Sequence, residues 1–98
     1  MDQSLKPTSS EANRPRACDG VVTFPLDDDL VLCQESDGQT FVVNRTGAFI
    51  WSLCDGSQTR PEIAHSVADT FGIPDEQASK DVDELLDALH GAGLLITP

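Results

Sequence analysis

The sequence predicts an α+β domain of winged helix-turn-helix type, a three-stranded antiparallel sheet followed by three helices. Three observations carry that expectation. Short β-rich runs fill Val21 to Val43, and Asp37-Gly38 between the last two is a hairpin signal. From Asn44 onward the apolar period becomes helical, and most of the helices bring their own start and stop residues. The second and third helices are separated only by the short segment Phe71 to Asp75, a suitable helix-turn-helix turn.

The first strand is expected at Val21, Val22 and Phe24, stopped by Pro25, with Asp27-Asp28-Asp29 as a charged turn. Leu30 to Glu35 is the second strand. Gln39 to Val43 is the third, with Phe41 and Val43 on one face and Thr40 and Val42 on the other. Both faces carry apolar residues, so both are expected to meet something.

Asn44 suits an N-cap, because its side-chain oxygen can accept from a free backbone N–H of the first turn. The first helix then runs to about Cys54 and is apolar nearly all round, which places it in the core. Asp55-Gly56 is expected to end it. Thr59-Arg60-Pro61-Glu62 reads as a capping box with Pro in the first turn, followed by an apolar stripe of Ile63, Val67 and Phe71 and a stop at Gly72. The third helix is expected to start with Asp75 as N-cap. Its core stripe is Ala78, Val82, Leu85 and Leu89, and it ends at Gly91 and Gly93. Leu94-Leu95-Ile96 is either a short strand or a packed tail.

The chain of 98 residues is long enough for one domain with a modest core. Four Phe, one Trp and one Met leave little material for a deep ligand cavity. Residues 1–17 are mostly polar and broken by Pro7 and Pro15, so they read as a disordered N-terminal tail, with the folded domain over 18–98. No apolar run is long enough for a signal peptide or membrane span, from which a cytoplasmic location and no membrane partner are expected.

The charge is unevenly placed. Three of the six basic residues, Lys6, Arg14 and Arg16, lie in the tail. Residues 18–98 hold 15 acids against Arg45, Arg60 and Lys80, a net charge of −12. Such a surface repels duplex nucleic acid and anionic lipid and favours a neutral or basic partner. The winged-helix shape alone would invite a nucleic-acid-binding regulator. The third helix, where base contacts would lie, holds Asp75, Glu76, Asp81, Asp83, Glu84 and Asp87 against a lone Lys80, the wrong sign for reading phosphates.

Candidate catalytic or metal-ligating residues are few. Cys18, Cys33 and Cys54 are widely spaced, with no Cys-x-x-Cys and no Cys/His pair at metal spacing. His65 and His90 stand apart from any nucleophile, so no catalytic residue, metal or cofactor is assigned. The third strand is more informative. Exposed edges are commonly blunted by Lys, Pro or a bulge. Gln39 to Asn44 carries neither Lys nor Pro. Such an edge is free to accept a peptide as an added strand. The alternatives are that the N-terminal tail or a dimer partner covers it.

Asn44 to Thr59, NRTGAFIWSLCDGSQT, followed by Glu62-Ile63-Ala64, Asp81-Val82 and Gly93-Leu94-Leu95, resembles the PqqD family, the source of the peptide-binding domain called the RiPP recognition element. The resemblance spans roughly residues 20–96. Each piece is weak alone, since caps and core explain several, but their order and spacing together are specific. It implies a small non-catalytic protein that captures the leader segment of a ribosomally made precursor peptide. The leader would then be presented to a modifying enzyme, such as a radical-SAM enzyme, or to a leader peptidase. It also implies that the leader pairs with the third strand and lies beside the third helix. The expected peptide-binding residues are accordingly Phe41, Val42 and Val43 on the strand, and the stripe Ser79, Asp83, Leu86 and His90 on the helix. Leu86 either receives an apolar leader side chain or belongs to the core, and Asp83 is placed to pair with a basic one. The alternative functions are a nucleic-acid-binding regulator and a structural subunit of a modifying enzyme.

Overall fold

The computed structural model describes residues 14–97. In chain order the elements are β1 (Arg16–Ala17), β2 (Val21–Leu26), β3 (Asp29–Gln34), β4 (Gln39–Val43), α1 (Arg45–Ser52), α2 (Arg60–Phe71), α3 (Asp75–Gly91) and β5 (Leu95–Thr97). Strands β2, β3 and β4 form an antiparallel sheet in that order, and β1 pairs with β5 in a separate two-stranded ribbon. The expected α+β arrangement of three strands and three helices is present.

The sheet is built from two hairpins. Asp27, with φ of 58°, turns β2 into β3, and Gly38, with φ of 73°, helps turn β3 into β4. Pro25 does not stop the first strand, contrary to the sequence expectation. It pairs with Leu30 on an edge strand, at a position where the ladder places no bond, so its missing N–H costs nothing there. Leu32 and Val43 point inward and are buried, whereas Phe24, Leu26 and Val42 stay exposed.

The helices close over the inner face. The core gathers Leu32 and Val43 from the sheet, Ile50 and Cys54 from α1 and its end, Ile63 and Val67 from α2, and Ala78, Val82, Leu86 and Leu89 from α3. Phe49 of α1 meets Phe71 of α2 edge-on, with ring centroids 5.6 Å apart. Asn44 caps α1 by accepting from the Gly47 N–H at 2.8 Å. Thr59 and Glu62 form the reciprocal capping box of α2, and Gly72 ends that helix in the left-handed conformation.

Several boundaries differ from the sequence expectation, and the second strand runs over Asp29–Gln34 rather than from Leu30 to Glu35. Helix α1 ends at Ser52 with Leu53 as C-cap, ahead of Asp55-Gly56. The N-cap of α3 is Pro74, with no side-chain cap bond, and Asp75 is the first helical residue. Residues 1–13 of the expected tail lie outside the described residues. Arg16 and Ala17, placed in that tail by their polar surroundings, instead form β1. Tertiary hydrogen bonds hold this segment: Ala17 N–H donates to the Cys54 carbonyl at 3.0 Å, Gly56 N–H to Pro15 at 3.0 Å, and Cys18 N–H to Leu94 at 3.0 Å. Bonds to partners so distant in sequence leave no local signature.

Candidate functional site

Strand β4 is the edge of the sheet nearest the helices in sequence, and the ladder shows which of its backbone groups face away from β3. Glu35 N–H donates to the Gly20 carbonyl at 3.0 Å, which makes that pair a hydrogen-bonded one in the β2–β3 register. Antiparallel pairs alternate between bonded and non-bonded. Cys33 and Val31 therefore turn their backbone groups to β2, and Leu32 and Leu30 turn theirs to β4, opposite Phe41 and Val43. The N–H and C=O of Thr40 and Val42 face outward from the sheet. Val42 leaves 54% of its surface exposed.

Beside this edge lies a groove of about 440 Å³. Val42, Val43 and Asn44 form one wall, Thr46, Gly47 and Ile50 of α1 the floor, and Asp81, Glu84, Leu85 and Ala88 of α3 the other wall. Gly47 makes the floor possible. A Cβ there would stand 2.7 Å from the Val43 Cβ and 3.4 Å from Leu85 Cδ2, so only hydrogen lets α1 come this close to strand and helix. The Asn44 cap bond fixes the same turn.

The structure divides the sequence-expected site residues. Val42 and Val43 line the groove, and Phe41 packs half-buried against the core one residue before them. The helix stripe lies on a different flank of α3 from the groove. Leu86 is 0% exposed and lies in the core, while Leu85, expected there, is half-buried and faces the groove. Asp83 bonds Arg60 of α2 at 3.0 Å, and Asp87 bonds the same guanidinium at 2.8 Å. Burial works against the Arg60 charge, but the hydrogen bonds to Asp87 and Asp83 outweigh it and raise its pKa. Ser79 and His90 are exposed and absent from the groove lining. At about 100° per residue, the groove residues and the Asp83 stripe lie on opposite sides of the buried stripe.

The residues missed by sequence reasoning are Asn44, Thr46, Gly47 and Ile50 as groove lining, and Asp81, Glu84, Leu85 and Ala88 on α3. One signal was available: a glycine three residues into an otherwise apolar helix is unfavourable unless close packing needs it.

Burial, with a smaller contribution from Asp55, pushes the Cys54 thiol up to about 12, which keeps it protonated and unreactive. Among the described residues no cluster of three or more His, Cys, Asp or Glu is placed to hold a metal ion. Among the same residues no helix is long and apolar enough to cross a membrane.

An open strand edge beside an apolar-floored groove, on a winged-helix scaffold, defines a domain shaped to accept an extended chain. Residues 29–95, more than half of the chain, match the family model of PqqD, coenzyme PQQ synthesis protein D, and the chain belongs to that family. The fold is similar to that of TbiB1, solved in complex with the TbiA(beta) leader peptide. That structure has a TM-score of 0.72 and 27% identity, over 83% of this chain and 94% of TbiB1. A lasso peptide synthetase B1, solved with its leader peptide, shares the fold with a TM-score of 0.73. It is 18% identical, over 85% of this chain and 98% of that one. No curated protein matches the sequence.

Proposed function

We propose that this protein binds the leader segment of a ribosomally made precursor peptide and presents the precursor to a modifying enzyme or leader peptidase. The observation that carries the reading is the groove between β4 and α3, bordered by the outward N–H and C=O groups of Thr40 and Val42. The leader adds as a fourth strand beside β4. Main-chain hydrogen bonds supply affinity, and side chains entering the groove set the register. Membership of the PqqD family and likeness to TbiB1, solved with a leader peptide, support the same reading.

The protein's part in this is to bind and orient. It lowers the entropy cost of bringing the precursor to an enzyme by holding one end of it. The enzyme, a radical-SAM enzyme or a leader peptidase among the candidates, supplies the chemistry. A nucleic-acid role is disfavoured by the six acids of α3 and by the pairing of Arg60 with two of them.

Calorimetric titration of the full chain with the leader peptide encoded beside its gene tests the proposal. Saturable binding in the micromolar range or tighter is expected, with none for a scrambled leader. The absence of binding by the intact leader at high micromolar concentration would overturn it.

A further inference from the structure

Resting on this proposed capture at β4, we infer that the bound segment carries a basic side chain two residues away from an apolar one. The apolar side chain sits against Leu85 and Ala88, and the basic one lies between Asp81 and Glu84.

The wall of the groove formed by α3 has two halves. Asp81 and Glu84 occupy one turn, and Leu85 and Ala88 the next. Successive turns of a helix are about 5.4 Å apart, and successive same-face residues of a strand about 6.7 Å. An added strand running along the groove therefore offers one side chain to each half, two residues apart. Gly47 of the floor comes closest to Leu85, and Ile50 of the floor and Val43 of the strand wall add apolar surface to the groove, which suits an aliphatic or aromatic side chain.

Among the described residues, no ion pair joins a cation to the acidic half. Asp81 accepts from Gln77 Nε2 at 2.9 Å, which leaves its second carboxylate oxygen available. The Arg60 guanidinium is committed to Asp83 and Asp87 on the opposite flank. Among the described residues neither Arg45 nor Lys80 forms an ion pair with Asp81 or Glu84. With a net charge of −12 over residues 18–98, the surrounding surface reinforces the negative potential. A lysine or arginine of the incoming segment meets two carboxylates on one wall of the groove, where such pairs improve encounter and fix register.

The test compares the wild type, D81N/E84Q, and the control D28N/D69N, which removes as much charge away from the groove. Each is titrated with the adjacent leader peptide at low and at physiological ionic strength. D81N/E84Q should bind about tenfold more weakly and lose most of its salt dependence, with the control within about twofold of wild type. A complementary arm needs no change to the protein: replacing the leader's basic residues singly by Gln should weaken binding at one position only, two residues from an apolar residue. Wild-type affinity in D81N/E84Q, or indifference to every basic residue, overturns the inference while leaving peptide capture intact. Failure of the wild type to bind removes capture, and this inference with it.

Discussion

Gly47 and Val43 touch backbone to side chain: a Cβ on the glycine would lie 2.7 Å from the Val43 Cβ. This contact joins the first turn of α1 to the edge strand, with Leu85 of α3 close on the third side. It sets the depth of the groove.

Gly47→Ala is therefore expected to destabilise the protein despite alanine's better helix propensity. Overpacking costs about 1–3 kcal/mol, against about 1 kcal/mol gained by replacing a helical glycine. A net loss of about 1 kcal/mol is expected in urea unfolding. Because α1 must move off β4 to make room, leader affinity should fall more than stability does. An alanine variant with wild-type midpoint and affinity would mean that the contact carries no constraint.

Val42→Pro and Asp83→Lys separate the strand edge from the far flank of α3. The Val42 N–H faces the open edge, so proline leaves the β3–β4 ladder whole and removes a donor that a bound strand needs. The variant should fold, by circular dichroism, and bind leader at least about tenfold more weakly, since the loss includes the ladder bond and its neighbours. Asp83→Lys breaks one contact to Arg60, a pair with side-chain exposures of 23% and 58%, and touches no groove residue. Its cost should be below about 1 kcal/mol of stability, with little change in affinity. Full affinity in a folded Val42→Pro would move the peptide away from β4.

Cys54 predicts an alkaline weakness. Burial raises its thiol from 9.0 to about 12, with Asp55 adding to the shift and Arg60 opposing it. A folded pKa above the unfolded one means that the native state holds the proton longer. Its contribution to stability is complete below about 9 and is lost as pH climbs toward 12. Unfolding free energies measured through that window should fall more steeply for wild type than for Cys54→Ala. Parallel slopes would show that the thiol titrates alike in both states.

Much of the fold is legible locally. Asn44, the Thr59–Glu62 box and Gly72 act on neighbours three or four residues away, so their roles follow from spacing alone. The hairpin at Asp37-Gly38 is equally local, since Gly38 supplies the left-handed turn. The site is less legible. The strand half, Val42 and Val43, follows from position at a sheet edge. The helix half does not, because two adjacent leucines fit one apolar stripe almost equally well. Periodicity selected Leu85 for the core, and packing chose Leu86.

By itself the sequence determined the order of the three sheet strands and three helices, the caps at Asn44, Thr59 and Gly72, the acidic character of the third helix and the family motif. All of these depend on short-range spacing or on composition. Tertiary structure alone decided that Arg16 and Ala17 form a strand, that Asp83 turns to Arg60, and that Leu85 with Asp81 and Glu84 faces the edge strand. The physical reason is rotation about a helix axis: a step of about 100° per residue places neighbouring side chains on different faces, and only contacts from distant elements choose which face meets the sheet.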